Sequence, residues 1–249
     1  MAIHTDSEGL DARSVKIPTF DGESPGFQAM PSRGGPFPVV LVVQEIFGIN
    51  EHIQDVCRRF AKLGYLAVAP DLFWRQGDVS KMTDHRQIIE KVVSKVPDAQ
   101  VMSDLDSAAD FACGGRGDAV RLGLTGFCWG GRIAWLYAAH RTSLKAAVAW
   151  YGRLAGDVDE LHPAQPVDVA PRLCCPVLGL YGALDQSIPI EQVERARAAV
   201  AAAHKNAEIV VYPEAGHAFH ADYRPTYNDA AARDGWTRMR EWFRQYGVA

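Results

Sequence analysis

The chain has 249 residues, of which 48% are hydrophobic and 22% are charged, and its formal net charge is -4. This composition is ordinary for a globular enzyme and lacks the clustered basic charge of a nucleic-acid-binding protein, so we expect no nucleic-acid partner. No apolar run approaches the roughly 18 residues that a membrane span needs. The amino-terminal segment Met1–Glu8 has no apolar core after a basic start, which argues against a secretory signal.

The cysteine content indicates the redox compartment. Five cysteines form an odd set without metal-ligand spacing: Cys57, Cys113, Cys128, Cys174 and Cys175. Such a set fits reduced thiols in a cytosol better than a disulfide framework. We therefore expect a soluble cytoplasmic protein with no membrane partner, either a monomer or a homodimer.

The first half of the chain alternates apolar runs with helical patterns. Two short strands around the Asp21-Gly22 turn come first. The predicted elements that follow are a buried strand at 38–43, a helix at 51–63, a strand at 65–70, a loop at 71–79, and helices at about 83–96 and 99–112. The strands read as continuous apolar runs, as expected for strands covered on both faces.

The second half repeats this alternation. It predicts a strand at 120–125, a helix from 132, a strand at 146–151, a surface excursion at 152–174, a strand at 176–181, a helix at 189–203, a strand at 208–212 and a helix at 228–246. Such alternation indicates an α/β fold, with a mostly parallel twisted sheet of about eight strands flanked by helices on both faces. The excursion is too short for its own core, so we expect a single domain over residues 1–249.

The segment Gly126–Gly131, with the sequence GFCWGG, is the most informative part of the chain. It has the G-x-nucleophile-x-G pattern of a nucleophile elbow, with Cys128 in the position of the usual serine. Such a strand-to-helix turn needs glycines on both sides, and it places the thiol at a helix N-terminus, which favours a thiolate. The pattern therefore predicts that Cys128 is a nucleophile.

Two further polar residues follow predicted strands. Asp185 comes after the strand at 176–181, and His217 comes after the strand at 208–212. Open parallel sheets bind ligands beyond the carboxyl ends of their strands, and the order nucleophile, acid, histidine is the order of an α/β-hydrolase. In that arrangement His217 transfers protons, Asp185 fixes its tautomer, and Cys128 attacks a carbonyl carbon. The backbone N–H of Trp129 would supply one oxyanion donor, and that of Ile46, after the third strand, would supply the other.

Taken together, these motifs resemble those of the dienelactone hydrolase (carboxymethylenebutenolidase) family of α/β-hydrolases. The similarity extends over nearly the whole chain and depends on four segments: Gln44–Asn50 (QEIFGIN), Ala69–Phe73 (APDLF), Gly126–Gly131 and Gly216–His220 (GHAFH). The resemblance implies an α/β-hydrolase fold and a carboxylic-ester hydrolase without cofactor or metal. It also implies a Cys-Asp-His triad, here Cys128, Asp185 and His217, and an acyl-thioester intermediate.

The resemblance also assigns a role to Glu45. In the family scheme the resting thiol turns toward this glutamate, which takes the thiol proton when substrate binds, so that the thiolate swings into line with His217. The family's substrate-binding arginine four residues after the histidine is replaced here by Ala221. Arg75, Arg86 and Tyr151 are the remaining candidates for substrate binding. We therefore expect a small lactone, an enol ester or another activated ester as substrate.

Two other classes of function remain open at this point. Cys128 could be a peroxide-reactive thiol of a redox-sensing protein, although no C-x-x-C partner exists. The chain could also be a non-catalytic binding module on a hydrolase scaffold, since a fold does not guarantee its function.

Overall fold

The structure, a computed structural model, describes residues 3–249. The first two residues of the segment considered for a secretory signal therefore lie outside the described residues. No helix in the described part of the chain is both long enough and apolar enough to cross a membrane.

An eight-stranded sheet organises the molecule, as the sequence predicts. Its strands are β1 (Leu10–Thr19), β2 (Gly22–Pro31), β3 (Phe37–Val43), β4 (Leu66–Pro70), β5 (Gly117–Phe127), β6 (Ala146–Trp150), β7 (Val177–Gly182) and β8 (Ala207–Tyr212). The order across the sheet is β1-β2-β4-β3-β5-β6-β7-β8. The hairpin of β1 and β2 is antiparallel to its neighbours, and the other strands pair in parallel. The predicted α/β-hydrolase fold is confirmed.

Within residues 3–249, seven α-helices connect and flank the strands. They are α1 (Glu51–Lys62), α2 (His85–Lys91), α3 (Asp98–Gly114), α4 (Trp129–His140), α5 (Pro166–Val169), α6 (Ile190–Ala202) and α7 (Asp229–Gln245). The helix predicted at 83–96 is shorter than expected. It ends at Lys91, where Val92 adopts φ -124° and ψ -67°, and a 3-10 turn at Val93–Lys95 follows. The excursion at 152–174 contains α5 and a 3-10 turn at Ala170–Arg172.

The core lies on both faces of the sheet, and its central strands are inaccessible to solvent. β4 and β6 are buried along their whole length. The helix α4 is apolar on nearly all sides, because it packs between the sheet and neighbouring helices. The carboxyl ends of β3, β5, β6, β7 and β8 therefore share one well-supported edge, which positions the polar residues that follow them.

Candidate active site

The nucleophile elbow joins β5 to α4 at Cys128. The backbone of Cys128 has φ 54° and ψ -115°, in the left-handed region that non-glycine residues rarely adopt. The backbone N–H of Cys128 donates to the Trp150 carbonyl at 3.0 Å, which ties the turn to the end of β6. The thiol is half-buried, so a small molecule can reach it.

Close backbone contacts explain the glycines of the elbow. A Cβ atom on Gly126 would lie 2.0 Å from the Gly130 carbonyl oxygen, and one on Gly130 would lie 2.5 Å from the Val43 carbonyl oxygen. Real Cβ atoms do not approach backbone atoms this closely. The sequence pattern G-x-C-x-G therefore follows from packing of the elbow on itself and on the end of β3.

The loops that carry Asp185 and His217 are held together by backbone contacts. The Leu184 N–H donates to the Ala215 carbonyl at 2.9 Å. A Cβ atom on Gly182 would lie 2.3 Å from that same carbonyl oxygen, so only glycine allows the two loops to approach. The acid and the histidine thus meet although 32 residues separate them.

The structure brings Cys128, His217 and Asp185 into one hydrogen-bonded chain. The Nε2 atom of His217 lies 3.2 Å from the Cys128 sulfur, and its Nδ1 atom lies 2.7 Å from Asp185 Oδ2. The other carboxylate oxygen, Oδ1, accepts from the Ser187 hydroxyl at 2.6 Å and from the Ser187 N–H at 2.8 Å. Burial opposes ionisation of Asp185, but the hydrogen bonds from His217 and Ser187 hold its pKa below the ordinary value.

The charge state of His217 follows from its two neighbours. Burial alone would lower its pKa, but the hydrogen bonds with Asp185 and Cys128, together with their negative charges, raise it to about 10. An imidazolium at this position can stabilise a thiolate on one side while the carboxylate supports it on the other.

Glu45 and Tyr151 also lie in this site. Glu45 is inaccessible to solvent, and its Oε2 atom accepts a hydrogen bond from the Tyr223 hydroxyl at 2.8 Å. The Cys128 sulfur contacts His217 rather than Glu45, so this arrangement corresponds to the in-line geometry of the family scheme and not to the resting geometry. The Tyr151 ring lies 5.4 Å from the His217 ring, at a backbone φ of 38°.

The predicted oxyanion donors Trp129 and Ile46 belong to α4 and to the loop after β3. Trp129 is the first residue of α4, where an N–H group has no acceptor within the helix. Ile46 follows β3 by three residues and is half-buried on the loop that begins beside the elbow. Both residues therefore lie at the edge of the sheet that carries Cys128.

Arg75, a predicted substrate-binding residue, forms two ion pairs in the structure. Its guanidinium pairs with Asp104 at 2.6 Å and with Asp21 at 2.5 Å, and it stacks 4.2 Å above the Trp74 ring. The two carboxylates occupy donors that a substrate would need, so the structure favours a structural role for this arginine. Arg86 lies exposed in the first turn of α2, and its guanidinium forms no ion pair with any of residues 3–249.

Several residues near the site were not predicted from the sequence. Ser187 follows Asp185 by two residues, a spacing typical of hydroxyls that bind a nearby carboxylate, and this signal could have found it. Tyr223 contacts Glu45 across 178 residues, and no local pattern reports that contact. The Arg224 guanidinium lies 5.5 Å from the centre of the Phe47 ring, at the border of the same region.

A cleft of about 550 Å³ adjoins the site. Phe47, Gly48, Val79 and Met82 form its apolar lining near the loop after β3, and Tyr223 lies between this cleft and Glu45. The size of the cleft suits a small organic molecule.

The fold and this geometry together define the chain as an α/β-hydrolase with a cysteine at the elbow. Residues 25–247 match the dienelactone hydrolase family. The chain belongs to this family and is an enzyme of the carboxylic-ester hydrolase class. In Methylorubrum extorquens, a protein named "Putative carboxymethylenebutenolidase" is 64% identical over 99% of this chain and 85% of its own length.

Further relatives agree with this assignment. A crystal structure titled as a putative dienelactone hydrolase from Klebsiella pneumoniae is 56% identical, with a TM-score of 0.94 over 95% of this chain and 99% of that one. A Bradyrhizobium protein named "Probable 2-oxo-3-(5-oxofuran-2-ylidene)propanoate lactonase" is 31% identical over 87% of each chain. The family resemblance found in the sequence motifs is thus confirmed.

Proposed function

We propose that the chain hydrolyses a small lactone, enol ester or other activated carboxylic ester through an acyl-thioester on Cys128. The observation that carries this proposal is the chain of contacts from sulfur to imidazole to carboxylate, at 3.2 Å and 2.7 Å. The lactonase name of the Bradyrhizobium relative supports a lactone among these substrates. The free thiols of the chain fit a cytoplasmic enzyme. We further propose that it is a single domain and acts as a monomer or homodimer.

The mechanism assigns one step to each residue. The Cys128 thiolate attacks the carbonyl carbon, and the negative oxygen that forms accepts hydrogen bonds from the Trp129 and Ile46 N–H groups. The carbon–oxygen bond then breaks as the leaving oxygen takes the proton from His217 Nε2, which leaves the imidazole neutral. His217 next removes a proton from water, which attacks the thioester and releases the acid and the thiolate.

The thioester intermediate offers a direct test. Mixing the protein with p-nitrophenyl acetate should give a rapid release of nitrophenol equal to the enzyme concentration whenever deacylation is slower than acylation. Intact-protein mass spectrometry of the quenched reaction should then show one acetyl group, and peptide mapping should place it on Cys128. Acetyl found on the exposed Cys174 at the same level would contradict the proposal, because that thiol has no histidine partner among the described residues.

The raised pKa of His217 predicts the alkaline limit of activity. Because this pKa lies near 10, the imidazolium is present below that pH and is lost as the pH rises through it. We expect kcat/KM to hold up to alkaline pH and then to fall with a midpoint near 10. NMR titration of the ring should give the same midpoint, with exposed His204 as an internal reference.

Asp185→Asn provides the matched control for this titration. The amide keeps the shape of the side chain but removes the negative charge that supports the imidazolium, so the His217 midpoint should fall. An unchanged midpoint in this variant would show that the carboxylate does not support the histidine.

A further inference from the structure

The buried carboxylate of Glu45 has one hydrogen-bond donor among the described residues. Tyr223 donates its hydroxyl to Oε2 at 2.8 Å, whereas Oε1 is buried and has no partner. An unpartnered charge in a protein interior is costly, so each donor to such a group has a large effect on its position. Tyr223 is the residue that satisfies Glu45 in this arrangement.

Glu45 also lies beside the nucleophile. The elbow residue Gly130 packs directly on the backbone that leads to Glu45, since a Cβ atom there would lie 2.6 Å from the Gln44 carbonyl oxygen. The pKa of the Tyr151 phenol is raised well above its ordinary value, first by burial and then by the negative charges of Glu45 and Cys128. The Glu45 carboxylate and the Cys128 sulfur therefore both lie near Tyr151.

The backbone around Tyr223 is anchored by α1. Asp222, the preceding residue, pairs with Arg59 at 2.7 Å and lies 3.3 Å from the His52 ring nitrogen. On the other side, the Asn50 side-chain amide lies 3.5 Å from the Tyr223 hydroxyl. These contacts fix the backbone beside Tyr223, whose hydroxyl contacts Glu45.

We infer that Tyr223 is a positioning residue that holds the Glu45 carboxylate off Cys128, so that the thiolate pairs with His217. This inference rests on the proposed function, because it concerns the same nucleophile. Without the tyrosine hydroxyl, the carboxylate loses this hydrogen bond and turns toward the Cys128 thiol, which donates in its place. The thiol then keeps its proton to higher pH and turns away from the imidazole.

The charged and titratable groups around Glu45 come from three parts of the chain. Cys128 belongs to the elbow, Tyr151 follows β6, and Tyr223 and Arg224 come from the loop before α7. His217, whose ring lies 5.4 Å from the Tyr151 ring, is the last of these groups. Of these groups only Tyr223 donates a hydrogen bond to Glu45, so its replacement changes the state of Glu45 with little change elsewhere.

The test is the pH dependence of Cys128 alkylation in Tyr223→Phe. Iodoacetamide is added at a series of pH values, and the rate at Cys128 is read by peptide mass spectrometry, with Cys174 in the same digest as reference. We expect the alkylation midpoint to rise by about one pH unit, which slows alkylation at acid pH about tenfold. For a small ester, kcat should fall while KM changes little.

Two further variants distinguish positioning from general disturbance. Tyr227→Phe removes a hydroxyl that donates to exposed Asp229, and it should leave the alkylation midpoint at the value of the native protein. In a Glu45→Gln background, Tyr223→Phe should not shift the midpoint, because an amide carries no negative charge to disfavour the thiolate. The inference fails if the midpoint stays or falls in Tyr223→Phe, or if the shift persists in the Glu45→Gln background. Alkylation needs no ester turnover, so such a failure is separate from failure of the proposed hydrolysis.

Discussion

Replacing Cys128 by alanine is expected to abolish ester hydrolysis, with a loss in kcat of about 10⁴-fold to 10⁶-fold, the range found when a nucleophile or its histidine is removed from such a triad. His217→Ala should cost a similar factor, because the thiolate loses the imidazolium that lies 3.2 Å from it. The two residues act as a unit, so the double variant should lose no more than the worse single variant. Steady-state kinetics with p-nitrophenyl acetate and with a dienelactone would measure all three.

Surface substitutions of the same residue types provide controls. Cys174→Ala removes an exposed thiol, and His204→Asn replaces an exposed histidine at φ 50° by a residue that tolerates this conformation. Both should keep native kinetics. Ester turnover that survives in Cys128→Ala would refute the thioester mechanism. Losses in the single variants that multiply in the double variant would show that sulfur and imidazole act independently.

The sequence predicted the fold and the grouping of the triad residues for one physical reason. Strand and helix periodicity place Cys128, Asp185 and His217 at carboxyl ends of parallel strands, and those ends share one edge of a sheet. Local glycine patterns at the elbow and before Asp185 added direct information, because close backbone approach permits only glycine there. The strand topology and the close backbone contacts at glycines could therefore be predicted from the sequence.

Contacts between side chains that are far apart in the sequence could not be predicted in this way. Arg75 appeared to be free for substrate because its partners, Asp21 and Asp104, lie 54 and 29 residues away in the sequence. Tyr223 likewise reaches Glu45 only through the course of the loop after His217, which no periodicity describes. The helix predicted at 83–96 breaks after Lys91 for a related reason, since tertiary context overrides its apolar spacing.

Gly130→Ala is expected to destabilise the native fold strongly. The added methyl group would lie 2.5 Å from the Val43 carbonyl oxygen and 2.6 Å from that of Gln44. These are backbone atoms of a central strand and its continuation, so relief requires the elbow and β3 to separate. Overpacking of this kind costs about 3 kcal/mol or more, a large part of the roughly 5–15 kcal/mol that stabilises a domain. Urea unfolding, followed by circular dichroism, would measure the loss.

Gly114→Ala is the matched control for this prediction. Gly114 ends α3, and a Cβ atom there would meet no atom within 4 Å. The same chemical change should therefore leave stability unchanged or raise it by up to about 1 kcal/mol, because alanine loses less backbone entropy than glycine in a helix. If Gly130→Ala unfolded at the same urea concentration as Gly114→Ala, the elbow would not be packed against β3, and the placement of Cys128 beside Glu45 would lose its structural basis.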